Sequence, residues 1–249
     1  MRLRPRSREA DAVFQELRTE ILCQGEFPSA GLKVPEDLRR FGVQEPFIDE
    51  AVDHLLAEGL VQLDDERLRR PKIEPNELRA IFGIRYMIDC LGACELADRL
   101  RDSRQSKRRG DTERRLEGLR EVQAKLERLC ARRSRRLIDV IDGDCKFHVE
   151  IAVQSGYASA VPIIRWTFHR ILIATPSFRS PQRAQGIVDE HRMVLSAIGA
   201  RKGSPVNVCQ AIREHLLGGA RAWNPKLARS LEKRLPHLFA LMGNTQERK

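Results

Sequence analysis

The chain has 249 residues, enough to bury two modest cores, and its 5% of aromatic and 32% of charged residues favour helix over sheet. It holds no apolar stretch of the roughly 20 residues that a membrane helix needs and no signal-peptide pattern, so we expect a cytoplasmic protein without membrane contact. The net charge of +10 is uneven, because residues 11–73 hold 8 Lys and Arg against 14 Asp and Glu, whereas residues 101–136 hold 14 against 6.

The first 73 residues alternate short helical patterns with turns. Residues 1–10 carry four arginines without an apolar pattern and are predicted to form a flexible basic arm. Apolar residues at helical spacing predict three helices: one from Asp11 to Gly25, one from Pro35 to Phe41, and, after a tight turn at Gly42, one through Ile48 and Leu56 that Gly59 caps. Two short apolar runs, residues 60–63 and 68–73, flank a charged turn and predict a β-hairpin. Residues 11–73 are therefore expected to form a winged helix-turn-helix domain.

Residues 74–249 are expected to form an all-α bundle. Pro75 opens a long helix, and a helix that is charged nearly all round follows from Thr112 to Arg132. Further helices are predicted from Arg136 to Ser155, from Ala158 to Ile173, from Pro181 to Gly199, from Pro205 to Trp223 and after Pro225. No strand pattern appears after Ile73. The predicted fold class is mostly α, with an N-terminal winged helix-turn-helix and a C-terminal helical bundle.

Six cysteines are scattered along the chain without a CxxC pair: Cys23, Cys90, Cys94, Cys130, Cys145 and Cys209. In a cytoplasmic protein we expect them to be reduced thiols that serve as small hydrophobic side chains. Cys90 and Cys94 share a helix face, where filling of the core is favoured over metal binding.

Three of the predicted bundle helices carry metal-binding side chains on their apolar faces. Asp144 and His148 lie on one stripe of the helix from Arg136, and His191 and His215 occupy such stripes on two later helices. A single histidine there is more often a hydrogen-bonded core residue, but one aspartate and three histidines on converging helices form a set that divalent transition metals favour. Because a buried carboxylate needs a compensating charge, we predict that these four residues hold a divalent metal such as Zn, Ni, Mn or Fe.

The segment from Ile21 to Val61 resembles the signature of the bacterial GntR family. The matching positions are Gly25, Pro28, Leu32, Leu38, Gly42-Val43, Glu50-Ala51 and Glu58-Gly59-Leu60-Val61. The second half resembles the FCD ligand-binding domain of the FadR-like branch of that family. Its matching motifs are Ile84-Arg85 with Asp89, the D-x-x-F-H of Asp144 to His148, Glu190-His191 with Ala197-Ile198, and Glu214-His215-Leu216.

The resemblance implies that the metal anchors a small carboxylate effector and that Arg85 lines the same pocket. A guanidinium group suits that role because its planar fork can bind both oxygens of a carboxylate. A salt bridge from Arg85 to Asp89, one turn along the helix, is an equally weighted alternative. The resemblance also implies a homodimer formed by or beside the helical domains. His169 matches no ligand position and is left unassigned.

The predicted recognition helix is unusually acidic. Where GntR proteins usually present arginines, this chain has Glu45 and Asp49, with Glu36 on the preceding helix. Such residues repel the phosphate backbone of DNA. The remaining candidates for DNA contact are the basic arm and Arg39, Arg40, Gln44, Arg67, Arg69 and Arg70.

Two functions remain open from the sequence. The first is a ligand-responsive, DNA-binding transcription regulator in which an effector at the metal site changes operator affinity. The second is a protein that has lost operator recognition and uses the metal-bearing bundle as a metal-dependent enzyme or small-molecule binding protein. Binding of another polyanion by residues 101–136 is a minor third hypothesis.

Overall fold

A computed structural model of the protein describes residues 7–24, 27–28, 30–105, 109–132, 134–175, 181–200 and 204–243. Its elements are predominantly helical with three short strands in the N-terminal part, and the prediction of a mostly α fold is confirmed. Among the described helices, none is both long and apolar enough to cross a membrane.

The N-terminal part, here called the head, is a winged helix-turn-helix. Its helices are α1 (Arg8–Thr19), which continues as a π-helix (Glu20–Gln24), a 3-10 helix (Glu36–Phe41) and α2 (Glu45–Ala57). Its strands are β1 (Leu32–Lys33), β2 (Gln62–Asp64) and β3 (Arg67–Arg69), which form an antiparallel sheet in the order β1-β3-β2.

The head differs from the sequence prediction at its first helix and in its sheet, where β2 and β3 have other bounds than the predicted strands 60–63 and 68–73. The predicted arm reached residue 10, but α1 already begins at Arg8 because the Ser7 side chain accepts a hydrogen bond from the Ala10 amide and caps the helix. Residues 1–6 of the arm and the predicted helix end at Gly25 lie outside the described residues. The strand β1 was not predicted, since two residues are too short to show an alternating pattern.

The rest of the described chain is a bundle of helices, here called the bundle. They are α3 (Pro75–Gln105), α4 (Arg109–Cys130), α5 (Leu137–Ser155), α6 (Val161–Ala174), α7 (Pro181–Gly199), α8 (Pro205–Trp223) and α9 (Pro225–Gly243). A 3-10 turn, Ala158–Ala160, precedes α6. Prolines stand in the first turn of α3, α6, α7, α8 and α9, where a missing amide proton costs nothing.

The head packs directly on α5 and α6. Buried residues of the head, such as Leu17 and Ile21, belong to the same apolar cluster as Ile141 and Phe168 of the bundle. An ion pair between Arg18 and Asp142 joins the same two parts. The core of the head is therefore continuous with one side of the bundle.

The end of α2 is also a contact with the bundle. Gly59 has φ +69° and Leu60 donates to the Leu55 carbonyl, which is the hydrogen bond of a Schellman helix end. The indole ring of Trp166 on α6 lies where a Cβ atom at Gly59 would stand, at 2.7 Å. Glycine is required there both for the left-handed backbone and for the close approach of α6.

We predict that Gly59→Ala destabilises the protein more than Gly42→Ala. Both glycines have positive φ, so each variant loses about 1 kcal/mol from backbone strain. A methyl group at Gly42 meets nothing within 4 Å, whereas at Gly59 it meets the Trp166 ring, which costs about 1–3 kcal/mol more. Urea unfolding measures the difference, and equal losses in the two variants would show that α6 does not pack on the end of α2.

Candidate metal centre and effector cavity

The four side chains predicted to hold a metal come together in the bundle. Asp144 and His148 lie on α5, His191 on α7 and His215 on α8, and all four are buried. One carboxylate oxygen and one ring nitrogen of each histidine lie within 4.8 Å of one another, an arrangement that could hold a metal ion.

The distances within this cluster, here called the Asp/His cluster, are short. Asp144 Oδ1 lies 3.0 Å from His191 Nε2, 3.5 Å from His148 Nε2 and 3.8 Å from His215 Nε2. His148 Nε2 lies 2.9 Å from His215 Nε2. Two atoms that each lie about 2.1 Å from one ion can be at most about 4.2 Å apart, so these separations suit a common ion.

Each histidine is oriented by an acceptor outside the cluster. The contacts are His148 Nδ1 to Asp89 Oδ2 (3.0 Å), His191 Nδ1 to Gln123 Oε1 (3.2 Å) and His215 Nδ1 to Glu190 Oε2 (2.9 Å). The Gln123 amide nitrogen donates to the Val188 carbonyl, which turns the amide oxygen towards His191. Because carboxylate and amide oxygens cannot donate, the Nδ1 atoms of His191 and His215 carry the protons of these hydrogen bonds. The Asp89 carboxylate at 3.0 Å favours a proton on Nδ1 of His148 as well.

The Nε2 atoms therefore face one another and Asp144 as acceptors. Among the described residues, Asp144 Oδ1 and His191 Nε2 have no hydrogen-bond partner, although they are only 3.0 Å apart. A proton on His148 Nε2 can form a hydrogen bond to His215. The contact between His191 Nε2 and Asp144 Oδ1 would still lack a proton. A cation at the centre could be bound by all four atoms, so the residues present fit a divalent metal.

The pKa values describe the same arrangement. Burial lowers the pKa of His191 to about 3 and lowers the pKa of His215 as well. Burial also acts to lower the pKa of His148, but the Asp89 carboxylate outweighs it and raises that pKa. Burial acts to raise the pKa of Asp144, but His148 and His191 bring it well below its usual value. At neutral pH a metal would therefore meet an ionised Asp144 carboxylate and an unprotonated His191 ring.

A cavity of about 40 Å³ lies beside the Asp/His cluster, and Arg85 lines it. The Arg85 side chain is 1% exposed; Nε donates to Asp89 Oδ2 at 2.6 Å and Nη1 donates to the Ile164 carbonyl at 3.0 Å. Within the described part of the chain Nη2 has no hydrogen-bond partner. Arg85 thus makes the salt bridge to Asp89 and also lies in the cavity wall, whereas its binding of a carboxylate effector stays a prediction.

Sequence reasoning missed two polar residues of this region. Arg183 of α7 lines the cavity and pairs bidentately with Glu190 at 2.6 and 2.9 Å, and Gln123 of α4 holds His191. Gln123 did carry a signal, since it is an uncharged polar residue in line with Leu116, Leu119 and Leu126 on a charged helix. Arg183 lies two turns before Glu190, and this spacing alone does not distinguish a buried arginine from a surface arginine.

His169, which the sequence left unassigned, does not belong to the Asp/His cluster. It is fully buried on α6, and its Nδ1 lies 3.3 Å from Glu58 Oε2 at the end of α2. Burial keeps its pKa well below the usual value, so the ring is neutral at neutral pH. It is part of the contact between head and bundle.

The predicted DNA-contacting arginines of the head are engaged with the head itself. Arg39 pairs with Glu45, Arg40 with Glu20 and Arg69 with Asp64, at 3.5, 2.6 and 2.9 Å. Arg70 donates to the Ile21 carbonyl and Arg67 to the Gly31 carbonyl. Gln44 is exposed just before α2. These residues lie in one part of the head, but acidic side chains of the head already pair with several of the arginines.

The outer face of α2 is acidic along its length. Glu45, Asp49 and Asp53 are exposed and follow one another at intervals of four residues, so they share one helix face. Asp53 was not singled out from the sequence. Glu36 lies on the neighbouring 3-10 helix and pairs with Lys33 at 2.9 Å.

Comparison with protein families decides what the bundle is. Residues 81–218, more than half of the chain, match the FCD domain model. The chain belongs to the FCD domain family. The predicted membership of the FadR-like branch of the GntR family, with an FCD domain, is thereby confirmed. No curated protein sequence matches this FCD protein.

Solved structures share the fold of this FCD protein. E. coli McbR/YncC is 15% identical with a TM-score of 0.64, and the match covers 90% of this chain and 99% of that chain. A structure titled "Lar controls the expression of the Listeria monocytogenes agr system and mediates virulence" is 14% identical with a TM-score of 0.54, covering 90% and 97%. Streptococcus agalactiae GntR is 19% identical with a TM-score of 0.42, covering 86% and 99%. The first two show that head and bundle together form a known fold.

We predict that Arg85→Met costs about 3–5 kcal/mol of stability, because it leaves the buried Asp89 without its guanidinium partner. Arg99→Met is the matched control. Arg99 lies on the same helix and pairs with Glu95 at the same 2.6 Å, but the pair is about two-fifths exposed, so its loss costs about 1 kcal/mol or less. Guanidinium unfolding compares the two, and similar losses would contradict a structural ion pair at Arg85.

Proposed function

We propose that this FCD protein is a ligand-responsive transcription regulator that binds DNA as a homodimer. Its bundle holds a divalent metal (Zn, Ni, Mn or Fe) at Asp144, His148, His191 and His215, and the metal anchors a small carboxylate effector beside Arg85. The observation that carries the proposal is the convergence of four acceptor atoms beside a cavity whose wall includes Nη2 of Arg85, which has no hydrogen-bond partner among the described residues.

The charges favour an anionic effector. A divalent ion and the guanidinium groups of Arg85 and Arg183 outweigh the carboxylates of Asp89, Asp144 and Glu190 by one positive charge when the histidines are neutral. The free Nη2 of Arg85 supplies a donor for one oxygen of a carboxylate. The cavity has room for roughly three or four water-sized groups, which is the size of acetate.

A route from effector to head runs through α6. Phe168 and Leu172 line the cavity, and the Ile164 carbonyl accepts from Arg85. The same helix contacts the head through Trp166 and His169, which lie against Gly59 and Glu58 at the end of α2. An effector that contacts α6 on one side therefore biases the position of the recognition helix on the other.

An exposed apolar stripe on α3 supports a homodimer. Ala80, Ile84, Met87 and Leu91 follow one another at helical spacing and face outwards, with Ile84 37% and Leu91 50% exposed. Leu231 and Leu235 of α9 border the groove beside this stripe. A dimer formed by this face would present two heads to the two halves of an operator.

The metal site is tested by His191→Ala. We expect wild-type protein to bind close to one divalent ion per chain and the variant to lose most of it, because His191 supplies one of four ligand atoms. Metal content by mass spectrometry, normalised to folded protein, is the measurement.

His169→Ala is the matched control, because His169 is an equally buried histidine of the same bundle outside the Asp/His cluster. It should keep the wild-type metal content. Wild-type metal content in His191→Ala, or equal losses in both variants, would remove the Asp/His cluster as the site.

Regulation is tested by binding of the full-length protein to its own upstream DNA at several salt concentrations. We expect selective binding whose logarithm falls linearly with the logarithm of salt concentration. Arg69→Ala should reduce the slope by about one if Arg69 of the wing exchanges its pairing with Asp64 for a DNA phosphate, as the proposal requires. Arg192→Ala on the exposed surface of α7 should leave the slope unchanged. Weak, unselective binding of DNA by metal-loaded protein would contradict the proposal that the protein is a transcription regulator.

One observation favours a second candidate function. The acidic face of Glu45, Asp49 and Asp53 on α2, and the internal pairing of Arg39, oppose binding to phosphate. In this alternative the head no longer recognises an operator, and the bundle works as a metal-dependent enzyme or a small-molecule binding protein. This alternative predicts a protein that binds the metal and a small anion but does not bind its upstream DNA selectively.

A further inference from the structure

Three cysteines meet where α3 packs against α8. Cys90 and Cys94 lie one turn apart on α3, and Cys209 lies on α8. Cys94 Sγ is 3.6 Å from Cys209 Sγ, and Cys90 is close enough to Cys209 to act on its pKa. The sequence predicted reduced thiols that serve as small hydrophobic side chains, and the fold brings two of them, 115 residues apart, into contact.

The three thiols differ in their access to solvent. Cys90 is 1% exposed and Cys209 2%, so both are enclosed in the core. Cys94 is partly exposed and lies near the Pro205 carbonyl at the start of α8, with its sulfur 3.8 Å from that oxygen. A dissolved oxidant can therefore reach Cys94 first, and Cys209 is its nearest described thiol neighbour.

We propose that Cys94 and Cys209 are a redox-active pair that forms a reversible disulfide between α3 and α8. A disulfide has its sulfurs about 2.05 Å apart, so the two atoms must approach by roughly 1.5 Å, within the range of small side-chain rotations and helix adjustment. Disulfides in reducing compartments are mostly transient and redox-sensing, which suits a pair at the edge of a core rather than deep within it.

The chemistry balances with a hydroperoxide as oxidant. The Cys94 thiolate attacks one oxygen of hydrogen peroxide, the O–O bond breaks, and water leaves with the thiol proton, which gives a sulfenic acid. The Cys209 thiolate then attacks the Cys94 sulfur, the S–O bond breaks, and a second water leaves with the second thiol proton. Two electrons pass from the sulfurs to the peroxide, and a dithiol reductant restores both thiols.

The reaction is expected to be slow. The hydrogen bond to Cys209 and burial raise the pKa of Cys94, so little thiolate is present at neutral pH. The pair therefore responds to sustained oxidation rather than to a brief pulse. The bridge would join the helix of Arg85 and Asp89 to the helix of His215, although its formation does not depend on the proposed metal or effector.

The test is a disulfide map of the full-length protein. Reduced protein is incubated for hours with excess hydrogen peroxide, free thiols are alkylated with iodoacetamide, and a tryptic digest is analysed by mass spectrometry without reduction. We expect peptide 86–99 joined to peptide 203–213, with the link lost after dithiothreitol.

Because peptide 86–99 contains both Cys90 and Cys94, single substitutions assign the link. Cys94→Ser and Cys209→Ser should each abolish it, whereas Cys90→Ser and the distant Cys130→Ser should retain it. The proposal is overturned if Cys94 and Cys209 remain open to alkylation after other thiols are oxidised. It is equally overturned if the link persists in Cys94→Ser, or if Cys94 is oxidised to sulfinic acid without a link.

Discussion

Three imidazole rings commit their Nδ1 protons to acceptors outside the Asp/His cluster, and this leaves three Nε2 lone pairs and one carboxylate oxygen facing a common point. Acceptors at such short distances in a buried site repel one another unless a cation lies between them. The acceptors Asp89, Gln123 and Glu190 come from α3, α4 and α7, so five helices meet in this arrangement. The centre thereby specifies how the helices of the bundle are placed.

The neighbourhood of this centre links its chemistry to the head. Arg85 neutralises Asp89, which orients His148, and the remaining donor of Arg85 belongs to the cavity. The cavity wall includes α6, and α6 also carries the residues that contact the end of α2. The Asp/His cluster, the cavity and α2 are thus linked by one series of direct contacts, which is the physical requirement for coupling between a ligand site and the head.

Helical periodicity predicted most of this centre, because Asp144, His148, His191 and His215 each interrupt an apolar stripe and such interruptions are visible in sequence. What depends on contacts between distant helices was not predictable: the place of Gln123 beside His191, the pairing of Arg183 with Glu190, and the contact of Cys94 with Cys209. In the head, residue types identified Arg39 and Arg69 as candidates for DNA contact, but only the fold shows that acidic neighbours already pair with them. The strand β1 was missed because its pairing with β3 defines it, rather than any pattern within two residues.

The central claim is that one divalent metal lies among the four acceptor atoms. Anomalous diffraction from crystals of the full-length protein, recorded above and below the absorption edge of the metal found in it, tests this most directly. The account predicts one anomalous peak about 2.0–2.2 Å from the Nε2 atoms of His148, His191 and His215 and from a carboxylate oxygen of Asp144. A peak elsewhere, or no peak among these atoms in metal-containing crystals, would contradict it.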